Sequence, residues 1–222
     1  MKKITLVFIA IVSLGIYSCK KDSAGTTANL RLVNLSPNSS AFDLYVNNAL
    51  LVGGVGYGAS SNYIKATDGN ISVAVAPTGS STASISGNIF LNTDSYNSIF
   101  VFDSLAKVNG AVVVDDRTAP ASGKVNIRFF NFVNGDNAVD ILRAGSTKLF
   151  SARSFNDQNS NSYLAAYTAF DPGPFSVSAV ISGTSTLITS LPSIDATTGK
   201  NYTLLLKGFQ GGTISLTVIT DN

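Results

Sequence analysis

Four stretches of this chain carry residue types at spacings that chemistry could use. Ser104-Leu105-Ala106-Lys107 has the Ser-x-x-Lys spacing in which a lysine amine activates a serine nucleophile. Its companion Ser-Asp-Asn and Lys-Thr-Gly elements are absent, and that mechanism sets the serine on a helix, so a loop after the apolar run Ile99-Phe100-Val101-Phe102 is expected instead. Gly54-Val55-Gly56-Tyr57-Gly58-Ala59 fits a loose Gly-x-Gly-x-x-Ala, which cradles a pyrophosphate only where a strand leads into a helix. No helical pattern follows, and the stretch reads as a flexible strand connection. Asp115-Asp116 is the only adjacent acidic pair; neighbours on a strand point to opposite faces, so they read as solvated strand-end charges rather than a convergent acid and base. Asn134-Gly135-Asp136-Asn137 offers oxygens to Ca²⁺ without the full loop pattern or its distal glutamate, and no metal is expected there.

Composition narrows the chemistry further. The sequence has 0 His and 1 Cys, and all 13 of its acidic residues are Asp. Ser-His-Asp and Cys-His catalysis and zinc sites built on His or Cys need groups this chain lacks. No catalytic residue, metal or cofactor is expected. Lys plus Arg number 15 against 13 acids, and without Lys2 and Lys3 the balance is zero; with no basic run, nucleic acid is not an expected partner. At 222 residues, 45% apolar and 13% charged, the chain can bury one large or two ordinary cores.

The N-terminus reads as an address. Basic Lys2 and Lys3, an apolar run from Ile4 to Tyr17 and small Ser18 before the sole cysteine make the three parts of a secretory signal peptide over residues 1–18. The 14-residue run is shorter than the ~20 residues a helix needs to cross the hydrocarbon core. Ile16-Tyr17-Ser18-Cys19 resembles the bacterial lipobox, which implies cleavage between Ser18 and Cys19 and acylation of Cys19. Several acyl chains on one residue anchor stably at ~0.8 kcal/mol per CH₂. By resemblance to enterobacterial sorting rules, Lys20 after the cysteine implies the outer membrane, on either its surface or its periplasmic face. Residues 19–28 form the lipidated cysteine and a small, polar tether. Asp22-Ser23-Ala24 and Asp103-Ser104-Leu105 resemble a short bacterial O-glycosylation pattern.

From residue 29 onward the pattern is all-β. Ile71-Ser72-Val73-Ala74-Val75 and Phe175-Ser176-Val177-Ser178-Ala179-Val180 alternate large apolar with small residues, as half-buried strands do. Turns such as Asp68-Gly69-Asn70 and Asp171-Pro172-Gly173-Pro174 punctuate them. Leu30 to Tyr45 (LRLVNLSPNSSAFDLY) aligns without a gap to Ile127 to Leu142 (IRFFNFVNGDNAVDIL), matching Arg31 with Arg128, Asn34 with Asn131 and Asp43 with Asp140. Further on, Ser61-Asn62-Tyr63 corresponds to Asn161-Ser162-Tyr163. The expected architecture is two tandem immunoglobulin-like β-sandwich domains, 29–118 and 124–222, joined by a linker at 119–123. Arg31 with Asp43, and Arg128 with Asp140, lie on consecutive expected strands where an ion pair within each sandwich is geometrically possible, and a register-fixing or turn-capping role is expected of them rather than ligand binding. Phe100, Phe102, Phe129, Phe132 and Phe175 read as sandwich core. Tyr57, Tyr63, Phe155 and Tyr163 lie in or beside loops, where a binding face could be built.

The stretch Leu30-Arg31-Leu32-Val33-Asn34-Leu35-Ser36-Pro37, followed by Phe42-Asp43-Leu44-Tyr45-Val46, resembles the opening of the bacterial domain-of-unknown-function family 4397. That resemblance implies export and a β-fold and carries over no catalytic residue. The expected function is a non-enzymatic, lipid-anchored cell-envelope protein acting as an adhesion or protein-interaction module. The alternative is a carbohydrate-binding accessory lipoprotein. The expected partners are the membrane, through Cys19, and an envelope protein or glycan.

Overall fold

The structure is a computed structural model that describes residues 25–221, apart from Asn38, Ser40, Asp136, Gly145 and the side chain of Leu105. The expected signal peptide, the cleavage pair Ser18–Cys19 and the tether through Ala24 lie outside the described residues.

The first half holds β1 (Thr27–Asn34), β2 (Ala41–Val46), β3 (Ala49–Gly56), β4 (Ile64–Thr67), β5 (Gly69–Pro77), β6 (Ile85–Leu91), β7 (Tyr96–Phe102) and β8 (Asn109–Val114). The second holds β9 (Val125–Asn131), β10 (Val139–Arg143), β11 (Thr147–Arg153), β12 (Thr168–Phe170), β13 (Gly173–Ile181), β14 (Leu187–Ala196), β15 (Asn201–Lys207) and β16 (Ser215–Thr220). They form four sheets of four strands, ordered β4-β1-β7-β8 and β3-β2-β5-β6 in the first half, and β12-β9-β15-β16 and β11-β10-β13-β14 in the second. The two halves share one strand order. Each is a sandwich, and the fold is all-β as the patterning implies.

Period-two alternation builds each inner core. In the first sandwich Leu30, Leu32, Ile99 and Val101 pack with Phe42, Leu44, Ile71 and Val75. In the second, Ile127, Phe129, Leu204 and Leu206 pack with Ile141, Phe175, Val177 and Ile194. The intervening residues of β1, β7, β9 and β15 are also buried, because these strands are covered on both faces. Val33, Leu35, Phe100, Phe102, Ala111 and Val113 of the first half join Phe130, Phe132, Leu205 and Ile219 of the second in a third apolar cluster. Phe100, Phe102 and Phe132 therefore belong to the seam between the sandwiches, not to a sandwich core; Phe129 and Phe175 do lie in the second core.

Asp43 and Asp140 do not pair with the arginines. Each is turned toward an irregular register between its strand and the next, at β2–β3 and β10–β11. Asp43 accepts from Gly54 N (2.7 Å) and Thr78 Oγ1 (2.7 Å). Asp140 accepts from Ala152 N (2.8 Å) and Ser182 Oγ (2.8 Å) and meets Lys148 Nζ at 2.6 Å. Gly54 and Ala152 both have positive φ, of 71° and 52°, which points their amides at the carboxylates. Burial opposes the charge of Asp140, but these donors outweigh it and hold the carboxyl well below the usual carboxylate range.

A folded-state value below the unfolded one of about 3.9 stabilises the fold fully above about pH 5, and that contribution fades as pH falls. Asp140→Asn is expected to lose about 1–3 kcal/mol near neutral pH. The urea midpoints of variant and parent, compared from pH 7 down to pH 2, should converge on acidification. The gap should narrow steadily below about pH 4 and part of it should remain at pH 2, where the folded-state carboxyl is still largely ionised; a gap as wide at pH 2 as at pH 7 contradicts this account.

Candidate functional site

Arg31 and Arg128 stand at equivalent positions on β1 and β9, facing one another across the seam. Both run parallel to a partner strand, Arg31 opposite Ser98 of β7 and Arg128 opposite Thr203 of β15. Arg31 Nε donates to Ser98 Oγ (2.6 Å) and Arg128 Nε to Thr203 Oγ1 (2.7 Å). The far ends of the guanidinium groups cross over: Arg31 pairs with Asp221 of the second half, and Arg128 with Asp115 of the first. Secondary approaches of 3.9 Å (Arg31 to Asp115) and 3.7 Å (Arg128 to Asp221) close a quartet. Both carboxylates are completed by hydroxyls, Asp115 by Ser98 (2.5 Å) and Tyr63 (2.8 Å), and Asp221 by Thr203 (2.5 Å) and Tyr167 (2.6 Å).

This geometry replaces three expectations. The arginines pair between sandwiches, not within them. Asp115 is buried in the quartet, whereas Asp116 is exposed. Tyr63, proposed for a binding loop, is a hydroxyl donor with Arg31 stacked 4.6 Å over its ring. Its counterpart is Tyr167 rather than Tyr163, since Tyr63 and Tyr167 each immediately precede an equivalent edge strand, β4 and β12.

Burial and the Asp115 carboxylate push the Tyr63 phenol up; burial and Asp221 do the same to Tyr167, outweighing Arg128. Burial disfavours the charge of Arg128, but Asp115 and Asp221 more than offset this and raise its pKa. Every charge in the quartet is matched and hydrogen-bonded, so the cluster is a lock between domains rather than a reactive centre.

The other aromatic candidates do not converge either. Phe155 packs into the seam, edge-on to Phe102 at 5.6 Å. Tyr57 lies under Lys207 Nζ of the second half at 4.0 Å. Only Tyr163, at 88% exposure on the short 3₁₀ turn Ser162–Ala165, is open to solvent throughout.

A cleft between the halves lies at the other end of the seam. β1 and β7 are parallel, so Asp103, just after β7, sits at the end opposite the one where the chain enters β1. Asn134 follows β9 and Phe209 and Gln210 follow β15, and these two strands are parallel in the same way. Asp103, Ser104, Lys107, Asn134, Gly135, Phe209 and Gln210 line a cavity of about 240 Å³. Ser104 precedes and Lys107 ends a 3₁₀ turn, Leu105–Lys107, closed by Lys107 N donating to Ser104 O at 2.8 Å. Gly208, just before Phe209 and Gln210 of the opposite wall, has no room for a side chain: at φ 122° a Cβ there would run into Thr213 O. The Phe209 ring rests on Gly212, where a Cβ would collide with it.

Asp103 is 7% exposed. Its Oδ1 accepts from Ser104 N (2.7 Å), and no cation lies within ion-pair distance of it among the described residues. Two stretches that stand out in the sequence, Asp103 to Lys107 and Asn134-Gly135, meet in this cleft, but no sequence pattern joins them to each other or to Phe209 and Gln210, because its walls come from separate halves of the chain. A separate shallow trough of about 290 Å³ crosses the outer face of the first sandwich at Tyr45, Asn48, Ser72, Ala74, Ser86 and Asn88. Among the described residues no group of three His, Cys, Asp or Glu is placed to hold a metal.

No curated protein matches the chain. Among solved structures it is similar to an α-glucan-binding streptococcal virulence factor, at 10% identity and TM-score 0.26 over 80% of this chain and 92% of that one. It is also similar to the family 26 carbohydrate-binding module of Eubacterium rectale Amy13K in complex with maltoheptaose, at 12% identity and TM-score 0.28 over 87% and 97%. Family 41 carbohydrate-binding modules from streptococcal virulence factors match at 11% identity and TM-score 0.26 over 85% and 96%. The family model for a domain of unknown function, DUF4397, matches residues 28–142, which run from β1 through the first sandwich and the seam strand β9 to β10. The chain belongs to the DUF4397 family.

Proposed function

We propose that this chain is a non-enzymatic, lipid-anchored protein of the cell envelope, held in the outer membrane by acylated Cys19 and acting as an adhesion or interaction module. The observation that carries this reading is the placement of the cleft. Two sandwiches locked across a buried seam offer a polar recess built from both, at the end of β1 remote from its entry point. β1 has 8 residues, and at ~3.3 Å per residue it carries the chain ~23 Å between its ends. An anchor eight positions before Thr27 would attach at the entry end of β1, the end opposite the cleft.

Palmitate labelling of cells making the parent and Cys19→Ala proteins tests the anchor; label on the parent alone is the expected result. Protease shaving of intact cells, with a periplasmic marker, then finds the habitat. Cleavage while the marker survives directs the search to adhesion partners outside, and protection until lysis directs it to envelope proteins within. An unlabelled parent sinks the reading.

A second reading, a carbohydrate-binding accessory lipoprotein, is favoured by the lining of the same cleft. It combines a carboxylate, two carboxamides, a hydroxyl and an aromatic ring.

A further inference from the structure

We propose that the cleft at the end of the seam is a sugar-binding site, taking one hexose or N-acetylhexosamine ring against Phe209 with Asp103 as its deepest hydrogen-bond acceptor. This rests on the reading of the chain as a binding module and takes the glycan as its ligand.

Four side chains reach the cleft with hydrogen-bonding capacity to spare. Asp103 uses Oδ1 for Ser104 N, and its Oδ2 has no partner among the described residues. A carboxylate 7% exposed and without a counter-ion is costly unless donors reach it. Lys107 Nζ has no acid within ion-pair distance among the described residues, and the side-chain amides of Asn134 and Gln210 make no hydrogen bond to described residues. The set holds acceptors and donors together, which suits hydroxyls, since each hydroxyl donates once and accepts twice. Adjacent hydroxyls of a ring can bridge Asp103 and an amide, and the C–H face of the ring can cover Phe209, whose ring is held in place by Gly212.

Size points the same way. About 240 Å³ is below the ~300–1,000 Å³ of sites for drug-sized ligands, so one ring fits rather than an extended molecule. An adjoining cavity of about 200 Å³ shares Asn134, Gly135 and Gln210 and is walled by Val133, Ile181, Ile188 and Ile214. An acetamido methyl placed there gains about fourfold in affinity, the worth of one buried CH₂ group. N-acetylhexosamines should therefore bind ahead of the plain hexoses.

The test is saturation-transfer NMR with titration of glucose, galactose, mannose, N-acetylglucosamine and N-acetylgalactosamine against the full chain in a non-glycosidic detergent. Saturable binding is expected, with acetamido sugars preferred. Asp103→Asn keeps the size and the Ser104 contact and should weaken binding about tenfold or more, because a hydrogen bond to a charged group is lost. Phe209→Ala should do the same, and Tyr45→Ala on the outer face should leave the affinity unchanged. Binding that survives Asp103→Asn and Phe209→Ala but falls with Tyr45→Ala overturns the assignment while keeping a binding module. If no sugar binds, a photo-crosslinker at position 210 in living cells separates the two readings. A discrete cross-linked partner then leaves the module and removes the sugar; no cross-link removes both.

Discussion

Arg128→Ala is expected to cost about 3–5 kcal/mol and to lower the melting temperature by roughly 6–20 °C for a chain of this size. Arg128 is 1% exposed, and its removal leaves Asp115 with hydroxyl donors but only the 3.9 Å approach of Arg31 as counter-charge. It also strips Thr203 of a guanidinium donor and takes the cation from over the Phe130 and Tyr167 rings, at 4.8 and 4.7 Å. Arg128→Met with Asp115→Asn is the complementary case. The carboxamide introduced by Asp115→Asn would still accept from Tyr63 or Ser98, and no buried charge would face an empty site. The pair of changes should cost clearly less than the sum of the single ones, because the penalty of a broken buried pair is mostly that of the orphaned partner. A double-mutant cycle read by calorimetry checks this. Additive single costs below about 1 kcal/mol would show that the quartet contributes little.

Phe132→Ala is expected to cost about 3–5 kcal/mol and to uncouple the two sandwiches. Its ring lies 5.0 Å from Phe100 and 4.7 Å from Phe102 of the first half, and 6.1 Å from Phe130 of its own. Truncation opens a cavity in the seam while leaving Ile127 and Phe129 packed in the second core. Calorimetry of the parent should show one transition with matching calorimetric and van't Hoff enthalpies, and that of the variant two. A single, merely shifted transition in the variant would mean that the quartet alone suffices to couple the halves.

The strands, the turns and the all-β class follow from local pattern. The matched polar residues of the two halves also turn out to have definite jobs. Asn34 and Asn131 cap the ends of β1 and β9, Asn34 Oδ1 accepting from Ser36 N and Asn131 Oδ1 from Val133 N, each at 3.0 Å. Asp43 and Asp140 collect the amides of positive-φ residues at the irregular strands. A signal for the seam was present too. Ile99-Phe100-Val101-Phe102, Ile127-Arg128-Phe129-Phe130 and Tyr202-Thr203-Leu204-Leu205-Leu206 are nearly continuous apolar runs, which mark strands buried on both faces. As one-sided strands they would leave Phe100, Phe102 and Phe132 in a sandwich core and Tyr63 and Phe155 free for a ligand; covered on both faces, they bring all five residues to the seam.

What the sequence determined by itself is each strand's alternation, the residues that share a face, the turns, and the family. Those are local properties, set by the period of two along an extended chain and by the conformations that Gly, Asn and Asp permit. What covers a face is not local. Only the docking of one sandwich on the other decided that Arg31 meets Asp221 and Arg128 meets Asp115, partners 190 and 13 positions away. The same docking brought Asp103 and Lys107 opposite Asn134 and Gln210 to make a cleft. A charge or an aromatic ring takes its role from the surface that closes over it, and that surface belongs to another part of the chain.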